Sequence, residues 1–390
     1  MKYGFSDDVA CFRRSPARDL FKKYDLSKMI SFAGGYPSPL TFPVEQLKKI
    51  TSTVLDNYGA QALQYGATEG INELRQVLAK RSGVDVKNLQ ITTSSQQAID
   101  LCTRIMINPG DVILCANPSY LGALQSFYSY RADIQSIDST DDASLLAERY
   151  EKKINSLLKE NKKIKFIYSI PDFNNPTGET LNLECRKVLV AIAKKYDILI
   201  LEDCPYREVR FEGEQLPSMY SMDSDIVVQL GSFSKIFAPG IRLGWVIGAE
   251  EFLDKLTVCK QSTDLCSPII NQYLAAEYLR SGELDKNLVN SLKLYRHKRD
   301  TMLRALEKYM PEGSSWTHPE GGLFIFLYMP EGMSAVDIYE KVLNAGVAYV
   351  AGEFFHCDGK GQNTIRLNFS FTPEEKIDKG IQILANCIKD

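Results

Sequence analysis

The segment of residues 227–248, with the sequence VVQLGSFSKIFAPGIRLGWVIG, joins a short apolar run to a polar turn. Its first residues are β-branched or apolar, as a buried strand requires, and Gly231 opens a bend after them. The turn contains one lysine, Lys235, between apolar neighbours. We predict that Lys235 is the catalytic residue.

Two hydroxyls and a guanidinium accompany this lysine. Ser232 and Ser234 can donate hydrogen bonds to a phosphate, and the planar fork of Arg242 can hold an oxyanion with two bonds. In a largely apolar pocket near another cation, the pKa of the Lys235 ammonium would be lowered. The free amine can then attack a carbonyl to form a Schiff base. A solvated lysine after a strand is the alternative if this motif is taken alone.

The pattern S-x-S-K, with Arg242 seven residues after Lys235 and then G-W-V-I-G, resembles a known cofactor-lysine segment. The segment that it resembles belongs to the fold-type I enzymes dependent on pyridoxal 5'-phosphate (PLP), the aspartate aminotransferase superfamily. The resemblance implies an α/β fold, with a large domain built on a mainly parallel seven-stranded sheet flanked by helices and a smaller α+β domain. Strands and helices that alternate between residues 88 and 250 also favour a mainly parallel sheet. We expect the large domain at residues 46–285 and the small domain at residues 1–45 and 286–390.

Composition places few other limits on function. The 390 residues are 44% hydrophobic and 24% charged, which suits two or three globular domains. A net charge of -3 and a pI near 5.9 indicate no general attraction to nucleic acid or an anionic membrane. The N-terminal residues lack the apolar stretch of a signal peptide, so we expect a cytoplasmic protein. The nine cysteines show no metal-binding spacing, so we expect reduced thiols and no metal site.

Glycines and prolines make residues 31–43 an extended loop, in which Gly34 and Gly35 let the backbone approach a ligand. The S-F-A-G-G and F-P sequences of this loop resemble the subgroup of 2-aminoadipate and kynurenine aminotransferases. In that subgroup an arginine of the preceding helix binds an acidic substrate side chain. Arg18, within a helix that we predict over residues 12–26, matches that position, and Gly35 is expected to contact substrate. A surface arginine is the alternative on the sequence alone.

Two further segments match cofactor-binding positions of the family. In L-Q-Y-G-A-T-E-G, Tyr65 matches a tyrosine that crosses the dimer interface to the cofactor phosphate of the neighbouring subunit, which implies a homodimer with composite sites. A strand predicted over residues 88–93 leads into a helix. There Ser94, Ser95 and Gln96 would offer backbone N–H groups and a hydroxyl to an anion. The family more often has G-S-Q here, with glycine at the position of Ser94.

Polar or aromatic residues also follow three predicted strands, at the end where open α/β sheets bind ligands. They are Tyr120 in A-N-P-S-Y, Asn175 in F-N-N-P-T-G, and Asp203 with Tyr206 in E-D-C-P-Y. The resemblance implies that Tyr120 stacks on the pyridine ring of the cofactor and that Asn175 and Tyr206 contact its phenolic oxygen. A carboxylate such as Asp203 can keep the ring nitrogen protonated. Taken singly, these residues could instead be a structural tyrosine, a turn and a helix cap.

The segment T-I-R-L-N-F-S near the C-terminus alternates in polarity, with Ile365 and Leu367 on one face and Arg366 on the other. An arginine fixed on a strand can hold a substrate α-carboxylate with two parallel bonds. The R-L-N-F sequence resembles the carboxylate-binding segment of the family, and Asn175 is expected to contact the same substrate. A surface arginine on an edge strand is the alternative.

The resemblance as a whole implies an aminotransferase that uses a Schiff base on Lys235. It would move an amino group between an L-amino acid and a 2-oxo acid, with 2-oxoglutarate as the expected acceptor. The loop of residues 31–43, called the Gly34 loop below, and Arg18 favour 2-aminoadipate, glutamate-like or aromatic donors such as kynurenine. A PLP-dependent β-lyase or decarboxylase would use the same motifs. A ligand-sensing regulatory module is a further alternative, against which the acidic net charge counts.

Overall fold

The computed structural model describes residues 3–5, 9 and 28–389 of the chain. The helix predicted over residues 12–26, together with Arg18, lies outside the described residues. Within the described part, no helix combines the length and the apolar composition that crossing a bilayer requires.

The elements follow one another along the chain with strands and helices alternating through its first two thirds. The strands are β1 Ile30–Ser31, β2 Leu89–Thr92, β3 Val112–Asn117, β4 Asp133–Asp138, β5 Ile164–Ser169, β6 Leu199–Asp203, β7 Val227–Ser232, β8 Gly244–Ile247, β9 Ser315–Trp316, β10 Phe324–Tyr328, β11 Val347–Ala348, β12 Val350–Ala351 and β13 Thr364–Asn368. The helices are α1 Val44–Ala62, α2 Asn72–Ser82, α3 Ser94–Met106, α4 Leu121–Ser129, α5 Ala143–Lys159, α6 Leu183–Tyr196, α7 Met219–Met222, α8 Glu250–Gln261, α9 Ile269–Arg280, α10 Glu283–Tyr309, α11 Tyr339–Asn344 and α12 Glu374–Lys389.

A seven-stranded sheet forms the centre of the molecule, with the strand order β2-β8-β7-β6-β5-β3-β4. Its neighbouring strands are parallel, except that β8 runs antiparallel to both β2 and β7. Side chains alternate between two separate hydrophobic clusters, so that in β5 Phe166 and Tyr168 face one cluster and Ile167 the other. Because both faces are buried, inner strands such as β3 and β6 are mostly apolar, whereas the edge strand β4 is polar and only partly buried. The predicted mainly parallel sheet covered by helices is confirmed.

A smaller four-stranded sheet, ordered β12-β13-β10-β9, is antiparallel and comes from the C-terminal part of the chain. Strand β1 pairs in parallel with β11, which ties the start of the described chain to this C-terminal part. The charged periodic sequence of residues 269–309 predicts one or two long helices, and the segment forms two, α9 and α10.

The apolar residues that follow Gly321 and Gly322 predict a strand over residues 317–327, but the first half of this prediction is wrong, because β10 begins only at Phe324. Gly321 and Gly322 form a turn before it, and Gly322 has a left-handed backbone with φ of +70°. The N–H of Gly322 donates to the carbonyl of Val209, so this residue contacts another loop and does not pair within β10.

At its first residue, β8 touches the segment that leads into α3. A Cβ atom added to Gly244 would lie 2.7 Å from the carbonyl oxygen of Gly231, from the carbonyl carbon of Ser94 and from the nitrogen of Ser95. All three are backbone atoms, which cannot turn aside as a flexible side chain can. Glycine at this position therefore fixes how closely the sheet and the start of α3 approach each other.

We predict that Gly244→Ala destabilises the protein, because overpacking against rigid backbone typically costs about 1–3 kcal/mol. Gly240→Ala is the matched control, since a Cβ at Gly240 meets nothing within 4 Å. Thermal unfolding followed by circular dichroism measures both variants. Equal melting temperatures for Gly244→Ala and wild type would contradict the packing described above.

Candidate active site

The carboxyl ends of β5, β6 and β7 open into a cavity of about 400 Å³. It brings together residues from the Gly34 loop, the central sheet and β13. Of the site residues predicted from the sequence that the structure describes, all but Tyr65 line it: Gly35, Ser94, Ser95, Gln96, Tyr120, Asn175, Asp203, Tyr206, Ser232, Ser234, Lys235, Arg242 and Arg366.

Lys235 lies in the turn after β7 and is partly buried. Its Nζ donates a hydrogen bond of 2.8 Å to the carbonyl oxygen of Gly35 and lies 5.9 Å from the centre of the Tyr206 ring. Burial, reinforced by the positive charges of Arg366 and Arg242, lowers the pKa of the Lys235 ammonium to about 8. A nucleophilic free amine is therefore accessible near neutral pH.

Asp203 ends β6 with its side chain almost fully buried, at 1% exposure. Its Oδ2 accepts a hydrogen bond of 2.7 Å from the hydroxyl of Tyr168, whereas its Oδ1 has no partner. Burial raises the pKa of the Asp203 carboxyl to about 7, and the Tyr168 hydrogen bond opposes this rise. A cationic N–H group placed at Oδ1 would satisfy the free oxygen and stabilise the ionised carboxylate.

Tyr168 was not predicted from the sequence. It lies on β5, is completely buried, and burial beside Asp203 raises the pKa of its phenol well above the ordinary value, so the phenol stays a donor. Strand alternation could have indicated that Tyr168 shares a face with Phe166. It could not have shown that β6 is the neighbour of β5 and brings Asp203 within reach.

The hydroxyls and the guanidinium predicted to hold a phosphate meet at one end of the cavity. The Nη2 of Arg242 donates to the Oγ of Ser94 at 2.7 Å, and the N–H of Ser234 donates to the Oγ of Ser232 at 3.2 Å. Helix α3 begins at Ser94, and the N–H groups of a first helical turn have no partners within the helix. This end of the cavity can therefore bind an anion.

Gln96 and Tyr120 form a linked pair on the cavity wall. The hydroxyl of Tyr120 donates to the Oε1 of Gln96 at 3.2 Å, and the Nε2 of Gln96 donates to the carbonyl of Gly122 at 3.0 Å and to Ser126. The amide of Gln96 thus connects α3 to the start of α4. Through these hydrogen bonds, Gln96 orients the side chain of Tyr120.

Arg366 lies on β13 between β12 and β10, so the edge-strand alternative is wrong. Its Nη1 donates to the Oδ1 of Asn175 at 2.9 Å and its Nη2 to the carbonyl of Ala33 at 2.5 Å, while its buried Nε has no partner. Burial lowers the pKa of the guanidinium to about 10. The expectation that one face of β13 is core was too narrow, since residues on both faces are buried. The second face points to the cavity rather than to water.

Asn175 connects this arginine to the aromatic wall. Its Nδ2 lies 3.5 Å from the hydroxyl of Tyr206, and burial raises the pKa of that phenol. The ring of Tyr206 packs edge-on against Phe324, with 5.8 Å between the ring centres. Asn175 and Tyr206 thus stand side by side, so that both could contact one ligand oxygen.

Tyr65 lies outside the cavity of its own subunit, with 78% of its surface exposed. The cavity has instead a lining residue that the sequence reading missed, Tyr36, which follows the two glycines of the Gly34 loop. The Tyr36 ring covers Gly34 and packs edge-on against Phe371 at 5.6 Å. Its place directly after Gly35 was the available signal.

Comparison with known proteins agrees with this geometry. A family model described as aminotransferase class I and II matches residues 29–384. Aromatic-amino-acid aminotransferase 1 of Thermococcus litoralis is 44% identical, over 99% of this chain and 94% of that protein.

Two solved structures are also similar over nearly the full length. Pyrococcus horikoshii kynurenine aminotransferase, in complex with PMP, has a TM-score of 0.94 and 41% identity, with 99% of this chain and 96% of that chain covered. LysN, the α-aminoadipate aminotransferase of Thermus thermophilus, complexed with N-(5'-phosphopyridoxyl)-L-leucine, has a TM-score of 0.90 and 34% identity, with 99% and 97% covered. The chain therefore belongs to the class I and II aminotransferases, a family of enzymes that work with pyridoxal phosphate, as its sequence predicted.

Proposed function

We propose that this aminotransferase takes its amino group from an aromatic or dicarboxylic L-amino acid, such as kynurenine, glutamate or 2-aminoadipate, and passes it to 2-oxoglutarate. The observation that carries the proposal is the convergence of three groups in one cavity. They are the Nζ of Lys235, the unpaired Oδ1 of Asp203 and the guanidinium of Arg366.

The residues of the cavity fit pyridoxal phosphate. Asp203 offers an unpaired oxygen for a protonated ring nitrogen, and Lys235 offers an amine whose lowered pKa suits attack on an aldehyde. Ser232, Arg242 and the N–H groups of the first turn of α3 would hold the phosphate group. When bound, the cofactor supplies a conjugated ring that accepts electrons from the Cα atom of the amino acid.

Lys235 would act both as the attachment point and as the proton carrier. Its Nζ, when not attached to the cofactor, would take the proton from the substrate Cα and carry it for the second proton transfer. The hydrogen bond to the carbonyl of Gly35 holds the Nζ beside the Gly34 loop, within the same cavity. Asp203 stays ionised beside the ring nitrogen, and Tyr168 holds its second oxygen.

Arg366 would bind the α-carboxylate of either substrate. Its present acceptors, Asn175 and the carbonyl of Ala33, are neutral oxygens, and the exchange of one of them for a carboxylate gives a stronger, charge-assisted pair. A carboxylate beside this buried guanidinium also stabilises its charged form, which opposes the lowering of its pKa by burial.

The mouth of the cavity supports an aromatic side chain on the donor. Tyr36 lines the cavity and is 59% exposed, and it pairs with Phe371 at the surface. An aromatic ring gains from edge-to-face packing against such a pair. The names of the relatives, which include aromatic, kynurenine and aminoadipate aminotransferases, agree with donors of this size. An acidic donor would use Arg18, which we retain as a proposal.

We further propose a cytoplasmic homodimer with shared sites. Tyr65, Leu63 and Leu40 are large side chains with 78%, 74% and 80% exposure, and a second copy of the chain would cover them. The described cysteines are thiols and form no disulfide, which suits a reducing compartment.

The two-domain division expected from the sequence also remains our proposal. The seven-stranded sheet falls within residues 46–285, and the four-stranded sheet falls within residues 286–390. The pairing of β1 with β11 supports assigning residues 1–45 to the smaller domain.

The substrate proposal predicts that phenylalanine, kynurenine, glutamate or 2-aminoadipate yields its 2-oxo acid, with one glutamate formed per turnover when 2-oxoglutarate accepts. When glutamate is the donor, an aromatic 2-oxo acid replaces 2-oxoglutarate as acceptor. Chromatography of a donor panel measures this, and Lys235→Ala, expected to lose at least about a thousandfold in rate, is the control. Release of ammonia with pyruvate, or of carbon dioxide, in place of a new amino acid would indicate a lyase or decarboxylase.

A second prediction concerns Tyr168→Phe. Without its hydrogen bond, the pKa of Asp203 rises further above about 7, so the ionised form that pairs with the cofactor is lost at higher pH. The dissociation constant for PLP should match that of wild type at pH 9 and exceed it by about tenfold below pH 7. Titration of each apoenzyme with PLP, followed by absorbance across this pH range, gives the ratio of the two dissociation constants. The protonation of Lys235 affects both proteins equally, so it cancels in this ratio. Tyr150→Phe, which removes a buried phenol from α5, should leave the ratio at one, and a flat ratio for Tyr168→Phe refutes the role.

The shared site predicts complementation between two defective chains. In a hybrid of Lys235→Ala with Tyr65→Phe, one of the two sites combines an intact Lys235 with an intact Tyr65 of the partner. Hybrids purified with two affinity tags should regain about half of the wild-type turnover at limiting PLP, whereas each parent homodimer stays low. If Tyr65 acts within its own subunit, the hybrid gains nothing over the Tyr65→Phe parent.

A further inference from the structure

Two residues at the predicted phosphate-binding end of the cavity share an uncommon backbone conformation. Ser94 has φ of +70° and Arg242 has φ of +52°, the left-handed region that side chains other than glycine rarely adopt. They are 148 positions apart in sequence, yet the Nη2 of Arg242 donates to the Oγ of Ser94 at 2.7 Å. Backbone strain at non-glycine residues tends to gather where the surrounding structure needs a particular side-chain direction.

The surroundings of Ser94 hold it in this conformation. Its carbonyl accepts a hydrogen bond of 3.1 Å from the Oγ1 of Thr92, and Gly244 packs closely against its backbone. Ser94 is 3% exposed and its hydroxyl lies on the cavity wall. Glycine, the residue more usual here in the resembling family, would adopt this φ without strain. The strained backbone at position 94 of this chain therefore accompanies the side-chain hydroxyl of Ser94.

Arg242 depends on that hydroxyl for its orientation. The residue is exposed, and its Nη1 also donates a hydrogen bond of 3.3 Å to the carbonyl of Pro239 in its own turn. A long, exposed arginine samples many rotamers, and a second anchor across the cavity reduces that freedom before any ligand arrives.

We propose that Ser94 is a positioning residue, whose hydroxyl holds the guanidinium of Arg242 in the orientation that receives the phosphate group of the cofactor. The proposal rests on the proposed function in naming the phosphate as that of PLP. It assigns the affinity gain to the fixed arginine and not to a bond between the Ser94 hydroxyl and the phosphate.

The test compares Ser94→Ala and Ser94→Gly with wild type in three measurements on the apoenzyme. These are the dissociation constants of PLP and of pyridoxal, which lacks the phosphate, and the thermal unfolding midpoint. Both variants should lose about tenfold in affinity for PLP, since each loses a hydrogen bond to a charged group, and keep their affinity for pyridoxal. Ser94→Gly should unfold at a higher temperature than Ser94→Ala, because glycine relieves the strained backbone.

Asp197→Gly is the matched control for the relief of strain. Asp197 also has a left-handed backbone, with φ of +53°, but it ends α6 at the opposite end of the sheet from the cavity. Its replacement by glycine should raise the unfolding temperature and leave the affinity for PLP unchanged.

A double-mutant cycle separates positioning from direct contact. In an Arg242→Ala background, Ser94→Ala should cause no further loss of PLP affinity, because the hydroxyl then has no arginine to orient. A full additional loss would show direct contact with the phosphate and overturn the proposal. Equal loss for PLP and pyridoxal would show a general structural defect and overturn it as well, as would unchanged PLP affinity in Ser94→Gly.

Failure of the proposed function has a different result. Borohydride reduction of the wild-type protein with PLP, followed by peptide mass spectrometry, would then find no cofactor on Lys235. Titration of the same variants with inorganic phosphate would still decide the role of Ser94, with the same tenfold weakening expected and an unchanged constant overturning it.

Discussion

Three ionisable groups are kept largely out of water in one small cavity, and much of the surrounding structure serves that constraint. Asp203 and Arg366 are buried and Lys235 is partly so, and none of the three forms a salt bridge with another. Burial without an ionic partner destabilises the charged form of each group, which is why the pKa of the carboxyl rises and the pKa values of the two cations fall. The protein holds each group with a neutral dipole instead: a phenol, an amide or a backbone carbonyl. Such partners leave the groups available to a charged ligand.

The loop that carries Asn175 shows how such placement is made rigid. Arg186 is completely buried and donates to the carbonyls of Pro171, Leu181 and Pro217 and to Asp172, which Arg207 also contacts at 3.0 Å. A buried ion pair with every donor occupied contributes little net stability, but removing one partner is costly. This network fixes the two residues that begin the loop, so the amide of Asn175 has a defined direction toward Arg366.

The sequence indicated most of the cavity, because its residues sit in local motifs. A strand followed by a turn is a short-range pattern, and it located Lys235, Asp203 and Asn175 without knowledge of which strands are neighbours. Tyr168 escaped notice because its partner is on an adjacent strand, and strand order is a property of the whole chain. The bond between Ser94 and Arg242 was equally hidden, since each residue was predicted to bind phosphate and neither motif specifies the other's direction. Arg366 was located correctly, but its burial depends on β10 and β12, which the alternation of residues 364–370 does not reveal.

The carbonyls of the Gly34 loop link an early part of the chain to the lysine turn and to β13. The hydrogen bond from Lys235 to Gly35 spans 200 positions, and the bond from Arg366 to Ala33 spans 333. Contacts of such sequence separation carry a large loop-closure entropy and form late in folding. During synthesis on the ribosome, the lysine turn and its strand can be in place while the wall provided by β13 has not yet left the exit tunnel. Because burial is the main cause of the lowered pKa of Lys235, a chain without this wall would leave the amine more hydrated and less reactive toward aldehydes.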